Sequence, residues 1–114
     1  MKPVSTENSE HYTWGGVCDG WHLVRHEQLS VIQERIPPGA TEAEHYHERA
    51  RQFFFVLRGV LSLAVGGEVV QIGVRQGLEI APGVRHRAFN DGDAPVEFIL
   101  SSTPPTKGDR INVT

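Results

Sequence analysis

Short apolar segments separated by glycine and proline clusters run through most of this chain. Pro37-Pro38-Gly39 ends the segment 29–36, and Gly66-Gly67 joins the segments 60–65 and 68–72. No window shows the sustained apolar spacing of an amphipathic helix. Eight or nine short strands at a spacing of about 8–12 residues are typical of an all-β sandwich or barrel, and we predict this fold class.

The length and charge of the chain restrict its organisation and its partners. A chain of 114 residues is long enough for one domain with its own core. The net charge of −3, without a basic stripe, argues against nucleic acid or an anionic membrane as partner. We expect a single domain, with an N-terminal arm at residues 1–19, a barrel at 20–103 and an extended C-terminal tail at 104–114.

The N-terminus and the apolar runs favour a cytoplasmic location. Residues 1–10 are polar and lack the apolar stretch of a signal peptide. No apolar run reaches the roughly 18–20 residues of a transmembrane helix. Cys18 is the only cysteine, so an internal disulfide cannot form. We therefore expect a cytoplasmic protein that has no membrane partner.

Three histidines supply the strongest functional signal. His45 and His47 lie two residues apart, so on a strand their rings share one face. His86 offers a third ring in a later predicted strand. Neutral imidazole is the commonest protein metal ligand. Three rings that could converge in one small domain therefore indicate a metal site.

A glutamine and several apolar residues accompany these histidines. Gln52 shares its strand face with Phe54 and Val56. Ala88 and Phe98, in later predicted strands, are the other apolar residues that we assign to the pocket wall. Small-molecule sites usually combine an apolar lining with a few polar groups. We predict a pocket with ligating groups at one end and an apolar interior.

The spacing of the first block resembles a known family. Gly39-(x5)-His45-x-His47-(x4)-Gln52-(x6)-Gly59 resembles the first conserved motif of the cupin superfamily, whose usual form carries glutamate in the place of the glutamine. All the other spacings of that motif are present. The departure from the family pattern therefore falls on a single residue of the candidate site.

A second block completes the resemblance. Gly83-(x2)-His86-(x3)-Asn90 is similar to the later half of the second cupin motif. The earlier half is irregular, because Ala81 stands where the family has proline and Pro82 follows one place later. The resemblance covers about residues 20–103. On its own, we interpret Asn90 as a residue that caps the turn after its strand.

The resemblance implies a fold, a cofactor and partners. The fold would be a double-stranded β-helix, also called a jelly-roll barrel. One divalent metal ion (Zn, Ni, Mn or Fe) would lie inside the barrel, held by His45, His47, Gln52 and His86. The partner would be a small-molecule ligand or substrate. Small cupins commonly pair, so we also expect a homodimer.

Gln52 changes the chemistry that such a site would support. A carboxylate ligand would leave a divalent site with a net charge near +1, whereas a neutral amide leaves it near +2. The more positive ion is the stronger Lewis acid, and the 2-His-1-carboxylate triad of Fe(II) oxygenases is absent in this register. We therefore predict an enzyme that acts on a small oxygenated organic molecule by isomerase, cyclase or lyase chemistry.

Several alternatives remain open at this stage. A metal-dependent dioxygenase and a cupin that binds a small ligand without transforming it both fit the same motifs. Gln52 could also be an amide beside the metal rather than a ligand. No catalytic residue can be assigned from the sequence. Glu34, Arg35, Tyr46 and Arg51 lie near the predicted pocket mouth, where a solvated or structural role competes with proton transfer.

Overall fold

A computed structural model describes residues 1–113 of the chain. These residues form eleven β-strands and no helix. The strands are β1 Glu10–Trp14, β2 Cys18–Arg25, β3 Ser30–Ile36, β4 His45–His47, β5 Arg51–Arg58, β6 Leu61–Val65, β7 Glu68–Ile72, β8 Gly77–Ile80, β9 His86–Phe89, β10 Val96–Thr103 and β11 Arg110–Asn112. The all-β prediction is confirmed.

The strands form two antiparallel sheets that enclose the core. The six-stranded sheet has the order β1-β2-β3-β10-β5-β8, and the five-stranded sheet has the order β11-β4-β9-β6-β7. Sequential neighbours such as β6 and β7 pair directly, whereas β10 lies between β3 and β5. Within residues 1–113, no helix is long and apolar enough to cross a membrane.

Strict alternation along the strands builds the core. In β10, Val96, Phe98 and Leu100 are buried while the residues between them are partly exposed, as expected for side chains that point to opposite faces of a sheet. Val56 lies opposite Phe98 in the β5–β10 pair, and both are fully buried. The apolar residues of the two sheets therefore meet in one continuous core.

Two turns show how the sequence ends its strands. Gly66 and Gly67, with φ of 56° and 88°, join β6 to β7 in a conformation that glycine adopts without steric cost. Asn90 holds the loop after β9, because its side-chain nitrogen donates to Ile36 O at 2.9 Å and its side-chain oxygen accepts from Gly92 N at 3.0 Å. The turn-capping interpretation of Asn90 is confirmed.

The two ends of the chain differ from the predicted arm and tail. Residues 10–14 of the expected arm form β1, which pairs with β2 along its whole length. Residues 110–112 of the expected tail form β11, which pairs with β4. The first of these segments is polar and the second only three residues long, so neither shows a readable apolar alternation. The two sheets therefore extend from residue 10 to residue 112, beyond the predicted barrel at 20–103.

Candidate metal centre

Strands β4 and β9 bring the three histidines together. His45 and His47 are buried neighbours on one face of β4, and His86 stands directly opposite His45 on β9. One nitrogen from each ring lies within 4.8 Å of the others. Three imidazoles at this separation could hold a single metal ion. The structure thus assembles the histidines that the sequence pattern singled out.

Backbone carbonyls fix the orientation of two of the rings. His45 Nδ1 lies 2.9 Å from Ala43 O, and His86 Nδ1 lies 2.9 Å from Val84 O. Because a carbonyl oxygen can only accept, each Nδ1 carries the proton and each Nε2 retains its lone pair. Metal-binding histidines usually have this arrangement, with one nitrogen bonded to the protein and the other to the metal.

Burial keeps the three rings neutral at physiological pH. Desolvation lowers the pKa of His45 and the pKa of His47 to about 4. It also lowers the pKa of His86, although the hydrogen bond to Val84 opposes this effect. Only unprotonated imidazole binds a metal. The pocket therefore holds the three rings in the form that a metal requires.

Gln52 on β5 presents an amide oxygen that has no protein partner. Its side-chain nitrogen donates to Ser102 Oγ at 3.1 Å, which leaves the buried Oε1 without a hydrogen bond. The buried Nδ1 of His47 also lacks a partner. An unsatisfied buried polar atom costs about 1–3 kcal/mol. Orphaned acceptors beside two oriented imidazoles fit a divalent metal, so the residues present suit the cofactor that the motifs imply.

Three of the four candidate ligands, His45, His47 and Gln52, line one cavity of about 190 Å³ between the sheets. His86 is buried opposite His45 on β9 and does not line it. Two of the predicted pocket residues, Phe54 and Ala88, line this cavity. Val56 and Phe98 do not, because they lie farther along the same inward faces and are fully buried in the core. The remaining wall residues are Tyr12, Trp14, Ser30, Ile32, Glu34, Glu42, Leu100, Ser102, Thr106 and Arg110.

Of the four residues predicted near the pocket mouth, only Glu34 lines the cavity. Arg35 instead pairs with Asp19 at 2.7 Å, and Arg51 pairs with Glu79 at 2.7 Å, both at exposed positions. Tyr46 is half-buried beside the cavity residues of β4 but is not part of the wall. Only one of these four side chains therefore reaches the cavity.

Sequence reasoning missed two polar pairs in the wall. Tyr12 Oη donates to Glu34 Oε2 at 2.8 Å. Glu42 Oε1 accepts from Ala88 N at 3.0 Å, and Glu42 Oε2 lies 3.7 Å from Arg110 Nη1. Burial raises the pKa of Glu34 to about 8 and the pKa of Glu42 to about 7. Tyr12 and Arg110 come from β1 and β11, the two strands that were not predicted from the sequence.

Comparisons with known proteins agree with this architecture. The polyketide cyclase RemF from Streptomyces resistomycificus superimposes with a TM-score of 0.87 at 17% identity, over 100% of this chain and 86% of that one. KdgF from a Halomonas species superimposes with a TM-score of 0.82 at 15% identity, over 91% of this chain and 95% of that one. At these identities the likeness concerns the fold, and it confirms the double-stranded β-helix.

Sequence relatives and the family model carry the assignment further. The tetracenomycin polyketide synthase protein TcmJ of Streptomyces glaucescens is 30% identical over 69 residues, which are 60% of this chain and 46% of that protein. The polyketide synthase CurC of Streptomyces cyaneus is 34% identical over 67 residues, 59% of this chain and 44% of that protein. The matched region spans less than half of either relative. The family model of the Cupin domain matches residues 32–102, and the chain therefore belongs to the cupin family.

Proposed function

We propose that this cupin binds one divalent metal ion through His45, His47, Gln52 and His86 and acts as an enzyme on a small oxygenated organic molecule. The observation that carries the proposal is the pair of orphaned buried atoms, Gln52 Oε1 and His47 Nδ1, beside two imidazoles whose Nε2 lone pairs are free. Buried polar atoms in folded proteins nearly always have partners. A metal ion supplies the partner that the protein itself does not.

The neutral ligand set favours Lewis-acid chemistry over redox chemistry. A bound divalent ion would supply a centre that polarises a carbonyl or acidifies a water molecule. With three neutral imidazoles and a neutral amide, the site would keep a charge near +2. Glu42 Oε1 lies 4.0 Å from His45 Nδ1, the nitrogen that bonds to Ala43 O and not the one left for a metal. That placement disfavours the 2-His-1-carboxylate arrangement of the dioxygenase alternative.

The chain's own residues would bind the substrate and exclude water from it. Ser102 orients the amide of Gln52, and Phe54 and Leu100 contribute apolar wall next to the polar groups. A cavity of about 190 Å³ lies below the roughly 300 Å³ at which drug-sized pockets begin. The substrate is therefore a small molecule, or the reacting end of a longer one.

The adjoining surface leaves room for the longer type of substrate. A shallow groove shares Ser30 and Thr106 with the cavity and continues along the exposed side of β2 and the loop after β10. The relatives TcmJ, CurC and RemF carry names that refer to polyketide synthesis or cyclisation. These names favour isomerase-like or cyclase-like chemistry on an oxygenated carbon skeleton as the first reaction class to assay.

Metal content tests the proposal directly. We expect the untagged protein to contain about one equivalent of metal per chain by mass spectrometry, and its melting temperature to rise with added Zn²⁺ or Ni²⁺. His86→Ala should weaken binding by more than about 100-fold, since even outer-shell partners of metal ligands contribute 10–100-fold. The matched control His26→Ala, at an exposed site outside the cavity, should bind as the wild type does. Less than about 0.1 equivalent, with no thermal response, would overturn the proposal.

Assays on the loaded protein separate the reaction classes. Turnover of an oxygenated substrate without oxygen consumption supports the Lewis-acid reaction. Stoichiometric oxygen consumption would replace it with dioxygenation. A bound ligand that is released chemically unchanged would instead identify a binding protein.

We further propose that the protein is a cytoplasmic homodimer. Phe53 and Leu57 on the outward face of β5 are each 43% exposed, and Val60 follows them at 48%. Such outward apolar side chains suit an isologous contact between two copies. Light scattering coupled to size-exclusion chromatography should give twice the mass of one chain. A monomer at micromolar concentration would contradict this proposal, and it would leave the metal site unaffected.

A further inference from the structure

Three neighbouring strands place Tyr12, Gly20 and Glu34 in one row across the six-stranded sheet. Tyr12 of β1 stands opposite Gly20 of β2, and Gly20 stands opposite Glu34 of β3. A Cβ atom at Gly20 would collide with the ring of Tyr12. Because Gly20 has no side chain, the tyrosine ring crosses over this strand, and its hydroxyl reaches Glu34 Oε2 at 2.8 Å. The row is thus built to bring a phenol to a carboxyl group two strands away.

One oxygen of Glu34 remains available to a ligand. Tyr12 donates to Oε2, while Oε1 has no hydrogen-bond partner within residues 1–113. Glu34 is only 9% exposed, yet it lines the same cavity as His45 and His47. It belongs to the six-stranded sheet, and the histidines belong to the five-stranded sheet. The free oxygen therefore borders a cavity that His45 and His47 line from the other sheet.

The surroundings keep Glu34 protonated at neutral pH. The other titratable groups that act on it are Tyr12, Glu42 and Arg110, and Cys18 lies near it on β2. Desolvation is the largest effect and raises the pKa of Glu34 to about 8, while the hydrogen bond from Tyr12 opposes it. Desolvation and Glu34 together also raise the pKa of Tyr12, so the phenol stays a donor. With Oε2 occupied by the phenol, the carboxyl proton resides on Oε1.

We propose that Glu34 is the proton donor of the cavity, that Tyr12 positions it, and that the group it serves is a carbonyl or hydroxyl oxygen of the ligand. This inference rests on the proposed function, because it takes the cavity to be a substrate site. The O–H bond of the Glu34 carboxyl breaks as an O–H bond forms on the ligand oxygen. The carboxylate that remains keeps the hydrogen bond from Tyr12, and it regains a proton from water.

A purely structural role for Glu34 accounts for less of this geometry. A buried carboxyl group is costly, and an apolar residue of similar size would pack with its inward neighbours Ile32 and Ile36 at lower cost. Instead, the position between them is a glycine, Gly20, and Tyr12 donates a hydrogen bond to one carboxyl oxygen of Glu34. The other oxygen is left facing open space. This is the arrangement expected of a group that acts on a ligand.

A spectroscopic titration tests the protonation of Glu34. Trp14 lines the same cavity, and Trp21 is the only other tryptophan, so in a Trp21→Phe background selective excitation of tryptophan reports on Trp14 alone. In metal-free protein, we expect a fluorescence transition centred near pH 8, far above the pKa of about 4 of His45 and His47. Glu34→Gln should abolish this transition, Glu42→Gln should retain it, and Tyr12→Phe should move it to higher pH.

Acetate serves as a probe of proton donation, because its oxygens accept a hydrogen bond. In the same background, we expect acetate affinity to fall about tenfold for each pH unit above 8. In Glu34→Gln, whose amide remains a donor and does not titrate, affinity should stay constant with pH. In Glu34→Ala, it should be weak throughout. An unchanged pH dependence in Glu34→Gln, with the melting temperature preserved, would overturn the inference.

Metal content measured on the same samples distinguishes the two proposals. We expect Glu34→Gln to bind as much Zn²⁺ as the wild type, because Glu34 is not among the candidate ligands. If the wild type fails to bind metal while its pH 8 transition depends on Glu34, the proposed metal function is wrong and the proton donor stands. If metal binds normally and the transition survives Glu34→Gln, the proton donor is wrong and the metal function stands.

Discussion

The two walls of the cavity differ in what they offer a ligand, although one physical cause shapes both. The five-stranded sheet contributes the histidine wall, and the six-stranded sheet contributes Tyr12 and Glu34. Desolvation lowers the pKa values of the histidines and raises the pKa of Glu34. At neutral pH the histidines and Glu34 are therefore uncharged, but the histidines present lone pairs and the Tyr12–Glu34 pair presents protons. Burial thus creates an acceptor wall, formed by the histidines, and a donor wall, formed by Tyr12 and Glu34.

The largest expected effect concerns the pH dependence of stability, where the two walls have opposite signs. The pKa of Glu34 rises from 4.5 to about 8 on folding. Its contribution to the free energy of unfolding is therefore fully present below pH 4.5 and is lost as pH rises through 8. The loss amounts to roughly 4–5 kcal/mol. For His45 and His47, with lowered pKa values, stability is lost instead as pH falls from 6.5 toward 4.

Urea unfolding of metal-free wild type and Glu34→Gln between pH 5 and 9 measures how Glu34 changes the free energy of unfolding with pH. The difference between the two proteins should change steadily across this range, because the amide does not titrate. Glu42, whose pKa is also raised, interacts with Glu34, so the same comparison is made in a Glu42→Gln background. A difference that is independent of pH would show that Glu34 has an ordinary pKa and would remove the contrast between the walls.

Gly20→Ala should damage the donor wall and spare the acceptor wall. The added methyl group collides with the Tyr12 ring, and overpacking of this kind costs about 1–3 kcal/mol. The hydrogen bond to Glu34 should be lost as the ring moves, while Zn²⁺ affinity should change little. Gly92→Ala is a matched control, because its Cβ would meet only Asn90 Oδ1 at 3.4 Å. Equal melting temperatures for the two variants would contradict the tight packing of the row.

Ser102→Ala should have the smallest effect, on Gln52, the candidate ligand that the six-stranded sheet contributes. Ser102 accepts the hydrogen bond from the amide nitrogen of Gln52, which leaves the amide oxygen without a protein partner. Without it the amide is free to rotate, and we expect metal affinity to fall about tenfold. Ser62→Ala, at another buried serine outside the cavity, is the control. If the two variants bind Zn²⁺ equally well, Gln52 is not held as a ligand by Ser102.

The acceptor wall was predictable because its information is local. His45 and His47 share a face through the two-residue period of a strand, and the spacing to Gln52 and His86 matches a family pattern. The turn residues likewise predicted most strand boundaries, including the hairpin at Gly66-Gly67. Such features depend on short stretches of chain, so a single sequence reveals them.

Glu34 was among the residues predicted near the pocket mouth, but its pairing with Tyr12 was not predictable because it depends on the pairing of distant strands. Tyr12 and Glu34 are 22 positions apart, and they meet only through the β1–β2 and β2–β3 registers. Nothing in the polar segment around Tyr12 indicates a strand. In the sequence, Gly20 resembles an ordinary turn residue, and only the strand pairing shows that Tyr12 and Glu34 lie on either side of it. Val56 and Phe98 were assigned to the pocket for the complementary reason, since face alternation does not show how deep the cavity extends.

X-ray absorption spectroscopy of the Zn²⁺-loaded protein tests the central claim most directly. The account predicts one zinc ion per chain whose nearest shell contains three imidazole nitrogens with oxygen ligands besides. In His86→Ala the imidazole signal should fall by one third, and in the control His26→Ala it should not change. A shell without imidazole, or a shell that is identical in His86→Ala and the wild type, would contradict the claim that the histidine wall is a metal centre.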